Sequence, residues 1–514
     1  MSRLEKSTKT IAFNFANTML TSVLGFISRT VFVMTLGAEY LGLAGLLSNV
    51  LGFLSISELG IAMAIGFSLY KPLANNDNKT VSALMSLYRK AYLAIAGVVF
   101  VAGFILYLSL DFFVPPEQQP YGTSVAYFAF LIQSVVGYLL SYKTTLISSD
   151  NKAFKLAPII AGFSILTTVC QIIALVLAKN YIIYIVIQIT CSILHMLAQN
   201  KYITKHYPNV DFYSKDKLDE GTTREIKRSI GGLVIAKIGD YLVNSTDNLI
   251  ITKLVSLAAT GIYSNYLLIR NIINGIIATV FGGVTASLGN IIAVETDQKK
   301  LESFETLFFI AFLAYSFESV CFICLFNPFI GELWLGKEFV FGMPTVVVIV
   351  LNNYLTGLRI PLINIKNAAG KFMEDAWVPF AFAGINLVAS IILAKYFGVT
   401  GVFLGTIIGS MLTADWYRPV IIYKHVFHTS VINYFKKYIT YIFLGGFYMI
   451  IAYMICNLVD TPYIFVDLIL KGVIAASVPI ILSVAIFYRT KEYKIVKNLV
   501  SRVCNMLLNT VHRK

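Results

Sequence analysis

Charge is scarce in this 514-residue chain. Asp, Glu, Lys and Arg together make up 13 % of it, against 57 % hydrophobic residues. With a mean hydropathy of +0.75, no soluble domain of any size fits in what remains. Cysteine is nearly as rare, at 6 residues. Five of them (Cys170, Cys191, Cys321, Cys324 and Cys456) fall inside or at the ends of apolar stretches, where a thiol is a small hydrophobe. Cys321 and Cys324 form a C-x-x-C with no second pair or histidine nearby, so packing is expected there rather than a metal or redox centre. A phosphate-binding G-x-x-x-x-G-K-[ST] loop is absent. The nearest fragment, Ala368-Ala369-Gly370-Lys371-Phe372, lacks the first glycine and the hydroxyl, which excludes a Walker-type ATP site.

What the chain does have is hydrophobicity in instalments. About fourteen apolar stretches are each long enough to cross a bilayer, whose core of about 30 Å takes about 20 helical residues. Ile11–Leu36, Leu41–Leu69, Ala91–Val114, Val125–Leu146 and Trp377–Ala394 are examples. The first is too long for the apolar segment of a cleavable signal and is expected to remain as the first membrane helix. An all-α polytopic membrane protein follows. The net charge of +14 invites a nucleic-acid partner, but its distribution argues against one. Basic residues gather on alternate sides: Arg3, Lys6 and Lys9; Lys71 to Lys90; Lys143, Lys152 and Lys155; Lys201 to Arg228; Lys299 and Lys300; Lys366 and Lys371; Arg418 to Lys437; Arg489 to Lys514. The other side has only Lys179, Lys253, Lys337, Lys395 and Lys471. This is the positive-inside pattern, which predicts cytoplasmic termini, an even number of crossings and attraction to anionic lipid heads.

Laid over itself, the sequence repeats at one offset. Lys9-Thr10-Ile11 matches Arg228-Ser229-Ile230, Gly42-Leu43 matches Gly261-Ile262, Lys152 matches Lys371, and Lys205-His206 matches Lys424-His425; subtraction gives 219 in every pair. An internal duplication of six helices per half is expected. Six is even, so the lobes would be parallel repeats, with a substrate path between them. The predicted domains are an N-lobe over 1–206, a cytoplasmic inter-lobe loop over 207–224, a C-lobe over 225–435, two further helices within 436–490 and a basic amphipathic tail over 491–514. Thr222-x-x-Glu225 reads as a capping box opening the seventh helix. In the tail Val496, Leu499, Val500, Val503, Met506 and Leu507 share one face, which suits a helix lying on the inner leaflet.

Charges at bilayer depth cost roughly 2.5–3.5 kcal/mol each on insertion scales, so they face protein or a wet cavity. Arg29 falls in the outer half of the first helix and Glu58 near the middle of the second. Lys237, Asp240, Asn244 and Asp247 step along one face of the seventh, which reads as a cavity wall. Arg270 lies mid-membrane in the eighth, one turn before Asn274. Glu318 and Asp415 are expected to be satisfied by neighbouring helices, and Arg359, two residues before Pro361, to snorkel to the surface. A guanidinium at such depth is suited to bind an anion, so Arg29 and Arg270 are the leading binding candidates. Asp240, Asp247 and Glu58 are candidates for coupling or gating. No cofactor is expected; any transport would draw on a proton or sodium gradient, the membrane potential or the substrate's own gradient.

Two segments carry a resemblance. The run GLAGLLSNVLGFLSISELGIAMAIGFSLYKPL (Gly42–Leu73), followed by Leu87-Tyr88-Arg89-Lys90, and TDNLIITKLVSLAATGIYSNYLLI (Thr246–Ile269) resemble Wzx-type polysaccharide repeat-unit flippases. These belong to the polysaccharide transporter family of the multidrug/oligosaccharidyl-lipid/polysaccharide (MOP) exporter superfamily. The resemblance spans essentially the whole chain. It implies two six-helix lobes in a V with two extra C-terminal helices, alternating access, and residence in the bacterial cytoplasmic membrane. The implied substrate is an oligosaccharide on polyprenyl pyrophosphate, flipped to the outer leaflet for capsule, O-antigen or exopolysaccharide synthesis. The implied partners are a polysaccharide polymerase and a chain-length regulator. In that setting Arg29, Arg270 and Lys237 would meet the pyrophosphate. Asn14, Asn17, Thr21 and Ser28, with Asn244 and Asn274, would offer polar walls to the sugar, and the lipid tail would lie along the last two helices.

Rival readings remain. A lipid II or teichoic-acid-precursor flippase would share the fold. A cation-coupled drug antiporter would be expected to carry an acid in the first helix, where this chain has Arg29. A membrane polymerase or ligase would need a large outer loop, and the longest, about Asn327–Gly342, is too small to build a catalytic site.

Overall fold

The computed structural model describes residues 3–54, 61–150, 152–216, 218, 246–294, 296–369, 374–498 and 501, with backbone alone for 3–18, 53–54, 63–64, 67, 113, 279–280, 282–294 and 367–368. Among the described residues there is no strand; nearly everything is helix. Ten stretches there are long and apolar enough to cross a membrane. Two of these, Met19–Gly52 and Val378–Phe427, run through left-handed glycines, Gly37 (φ 85°) and Gly398 (φ 55°). The expected polytopic all-α class is what the chain adopts. The described chain forms two compact units, Met1–Ser264 and Asn265–Lys514, dividing inside one long helix.

The first unit contains α1 (Arg3–Leu36), α2 (Ala38–Leu54), α3 (Ile61–Ala74), α4 (Asn78–Tyr107), the short α5 (Leu110–Phe113), α6 (Thr123–Ser149), α7 (Ala157–Ala178), α8 (Tyr181–His206) and α9 (246–254). It also holds the first turns of α10 (Leu257–Val294). Helix starts follow local chemistry. Asp77 caps α4 by accepting from the Thr80 amide at 3.0 Å, and Asn180 caps α8 through the Ile182 amide at 2.8 Å. Hydrogen bonds from Thr80 hold the Asp77 carboxyl below its ordinary value. α6 packs against both α4 and α8, and Tyr88, Tyr92 and Tyr127 are buried at the α4–α6 contact. Their hydroxyls are spoken for, Tyr88 by Tyr92 at 2.7 Å and Tyr127 by the Gly103 carbonyl at 2.6 Å.

The loop expected over 207–224 does not begin as a free linker. The Asp211 amide donates to Ser82 Oγ at 2.9 Å, and Ser86 Oγ donates to the Ser214 carbonyl at 2.7 Å. Phe212 and Ser214 are buried. Lys143 Nζ stands 4.3 Å from the Phe212 ring centre and the Arg89 guanidinium 4.2 Å from that of Tyr213. Residues 207–216 are thus a strap bound across α4 and α6.

The second unit is built on α11 (Asp297–Pro328), which is largely buried from Phe304 to Phe326 and packs against α12 (Met343–Ala368), α15 (Ile432–Cys456) and α16 (Ile464–Phe487). Phe304, Phe308 and Phe312 of α11 meet Tyr434, Tyr441 and Phe487 at centroid distances of 4.4 to 6.2 Å. α13 (Val378–Leu412) doubles back at Gly398. Ser390 Oγ reaches the Val402 carbonyl at 2.8 Å, and glycines 401, 405 and 409 let the second arm lie on the backbone of the first. The short α14 (Ala414–Ile422) follows.

Candidate functional site

In the first unit Arg29 is half-buried on α1. Its Nη1 donates to Ser264 Oγ at 2.7 Å. The neighbours among the described residues are neutral: the Tyr184 hydroxyl sits with Ser28, Gln171 and Arg29, and Gln171 faces Gln188 at 3.5 Å. Ser28 and Gln171 are buried. Phe32, Tyr40 and Tyr181 close one side, with Phe32–Tyr184 and Tyr40–Tyr181 centroids 4.9 and 4.6 Å apart. Among the described residues no carboxylate pairs with Arg29. A guanidinium offered to hydroxyls and amides keeps its capacity for bidentate bonding to an anion.

The second unit carries a separate polar group. Arg270 of α10 has a buried Nε without a hydrogen-bond partner. Asn274, one turn on, donates to Asn353 Oδ1 of α12 at 3.1 Å. Glu318 of α11, 1 % exposed, lies within the electrostatic reach of Arg270 and beside Asn353. Neither of its carboxylate oxygens makes a hydrogen bond. Asn353 of α12 and Arg270 of α10 face its carboxyl, so the expectation that neighbouring helices satisfy Glu318 is met in part. For Asp415, Oδ2 accepts from Ser410 Oγ at 2.8 Å, while Oδ1 makes no hydrogen bond and is held by the Arg359 charge at 3.4 Å. Arg359 does not snorkel: it is 8 % exposed and also donates to Thr356 at 2.7 Å. Nearer the helix ends, Asp375 binds Lys366 at 2.7 Å and Arg418 at 2.8 Å.

Of the residues singled out in the sequence, Asp247 is buried in α9. Glu58, Lys237, Asp240 and Asn244 lie outside the described residues, and the backbone of α1 carries Asn14 and Asn17 without describing their side chains. Arg29 and Arg270 each have polar neighbours within their own unit. Ser264, Gln171, Tyr184 and Asn353 escaped notice because a lone neutral polar residue in an apolar run carries no signal of its own. Only three-dimensional neighbours single it out.

No protein-family model and no curated protein matches the chain. Solved structures do. The lipid II flippase MurJ in its inward closed conformation is similar over 93 % of this chain and 99 % of its own, with a TM-score of 0.65 at 17 % identity. An inward-facing multidrug resistance MATE family transporter of the MOP superfamily matches over 78 % and 95 %, with a TM-score of 0.58 at 13 % identity. The MATE multidrug transporter DinF-BH matches over 84 % and 97 %, with a TM-score of 0.57 at 15 % identity. The chain has the fold of MOP superfamily transporters.

Proposed function

We propose that this protein is a flippase that carries polyprenyl-pyrophosphate-linked oligosaccharide repeat units from the inner to the outer leaflet by alternating access. The observation that carries the reading is Arg29, a membrane-depth guanidinium bonded to a neutral hydroxyl and walled by Tyr184, Gln171 and Gln188. The pyrophosphate is the part of such a substrate least able to cross hydrocarbon, and Arg29 supplies the fork that would replace its water. The surrounding hydroxyls and amides suit a sugar. Arg270, Asn274 and Asn353 offer similar chemistry in the second unit. For the lipid, the resemblance pointed to a groove along the last two helices. An apolar cavity of about 420 Å³ borders the last of these, lined by Leu313, Phe317, Pro479 and Ile480 and edged by Tyr493 and Val496. The tail is free to remain in the bilayer beside it.

A flippase for lipid II or another lipid-linked wall precursor is the second reading, supported by the near-complete coverage of MurJ. Expression in a strain deleted for its own repeat-unit flippase should restore surface polysaccharide. Losing a charge-assisted bond to an anion costs about 1.5–3 kcal/mol. Arg29→Ala should therefore be close to null, and Arg29→Lys, which keeps the charge without the fork, partly active. Full complementation by Arg29→Ala at normal expression would remove Arg29 from the site. Rescue of a strain depleted of its lipid II flippase, without rescue of the polysaccharide mutant, would select the second reading.

A further inference from the structure

Ala38 and Gly42 are the first and fifth residues of α2; Leu257 and Gly261 are the first and fifth of α10. Both pairs are separated by 219, the offset of the sequence repeat. They also touch each other. A Cβ on Gly42 would fall on the Leu257 carbonyl oxygen, 2.9 Å from its carbon and 3.2 Å from the Gly261 nitrogen. A Cβ on Gly261 would fall on the Ala38 carbonyl oxygen, 2.9 Å from its carbon and 3.1 Å from the Gly42 nitrogen. Each distance has its mirror image, so the two helices cross on a local two-fold axis, backbone against backbone. Only glycine on both sides permits that approach. The crossing lies at the ends of α2 and α10 that the charge pattern reads as extracytoplasmic.

One turn beyond Gly261, Ser264 Oγ donates to the Gly261 carbonyl at 2.7 Å and accepts from Arg29 Nη1 at 2.7 Å. Arg29 is thus tied to the helix turn that forms the crossing. We propose that the Gly42–Gly261 crossing is the closed outer door of the transporter, and that Arg29–Ser264 is a latch on it which an anion at Arg29 releases. This rests on the anion-binding reading of Arg29 given above. A pyrophosphate offers charged, bidentate acceptors, and such bonds are roughly twice as strong as a neutral one, so it displaces the serine. Without the latch the crossing keeps only dispersion and weak Cα–H···O contacts, which fall away steeply with separation. The linkage must run both ways: whatever opens the crossing frees Arg29 and tightens anion binding.

The test uses the purified full chain in nanodiscs. Cysteines replace Gly45 and Thr260, because a Cβ on Gly45 would lie 4.0 Å from the Thr260 Cγ2, an atom in the place a cysteine sulfur can take, which brings the two side chains within reach of a disulfide. Oxidative cross-linking of this pair reports the closed door, and calorimetry with inorganic pyrophosphate reports binding. The parent pair should cross-link readily and, at saturating pyrophosphate, several-fold more slowly. Arg29→Ala should cross-link slowly and ignore pyrophosphate. Ser264→Ala, a mild change that spares the fold, should cross-link slowly while still binding it. Gly42→Ala should cross-link slowly and bind pyrophosphate several-fold more tightly. Failure of the parent pair to cross-link, or full cross-linking in well-folded Gly42→Ala, removes the door. Pyrophosphate that binds without slowing the parent removes the latch and leaves the proposed function standing. Absence of binding removes that function and the latch together. Slowing by phosphatidylglycerol in place of phosphatidylcholine, without pyrophosphate, would make the contact a sensor of bulk lipid and overturn its link to substrate.

Discussion

Arg359 shows what single residues in a membrane sequence do and do not reveal. Its position near a helix end favours snorkelling, since a long side chain can carry its charge to the interface. Nothing in the residue order signals that Asp415 stands within reach, because the contact depends on how α12 meets α14. Once paired and buried, the two charges hold each other in place. Arg359→Ala would strand the Asp415 carboxylate, and breaking a buried pair in this way costs about 3–5 kcal/mol. Replacing both, Arg359→Met with Asp415→Leu, removes the stranded charge and should recover most of that loss. Thermal unfolding in detergent distinguishes the cases. Equal midpoints for the single mutant and the wild type would show the pair to be energetically idle. Glu318 is the contrasting residue: its depth was legible from its place in an apolar run, but its polar neighbours were not, since they depend on how α10 and α12 meet α11.

Element by element, the sequence was a better guide, because twenty apolar residues between polar turns specify a helix without help from the rest of the fold. The arms of α13 were legible in this way. What brings them together was not, because spacing four residues apart only hints that Gly401, Gly405 and Gly409 face a partner. A Cβ on Gly405 would fall on Ser390 Oγ and lie 2.5 Å from the Ser390 nitrogen, whereas Gly384 has nothing within 4 Å. Gly405→Ala should destabilise by about 1–3 kcal/mol, the usual cost of forcing extra atoms into a filled space. Gly384→Ala, on an open helix surface, should be neutral or gain up to about 1 kcal/mol from helix propensity. If both variants melt alike, the arms do not lie as close as the structure places them. The strap over 207–216 was hidden for a related reason: its anchors, Ser82 and Ser86, are ordinary residues of a distant helix.

For the molecule as a whole, the charge pattern predicts on which side of the membrane each loop stands, and the direction of the proposed transport depends on it. Lys and Arg are retained where translocating them is costly, so the charge pattern predicts both termini and the 207–224 loop in the cytoplasm. The turn after α11 then lies outside. Impermeant thiol reagents can read this from single cysteines, provided that the probes are exposed. Ser214 would mislead, being buried under the strap, whereas Tyr213 beside it is 66 % exposed and Glu332 is also exposed. Background matters as well, because Cys321 is half-buried while Cys324 and Cys456 are buried; the native cysteines should be changed to serine or alanine first. In intact cells, a cysteine at Glu332 should label and one at Tyr213 should not, while both should label after permeabilisation. The second measurement is needed because Tyr213 stacks on Arg89, and an unlabelled thiol could be shielded rather than on the far side. Labelling at Tyr213 in intact cells, with none at Glu332, would reverse the topology. The crossing of α2 and α10 would then close the cytoplasmic side, and an anion at Arg29 would open the path inward. The sign of the proposed transport thus rests on these two cysteines.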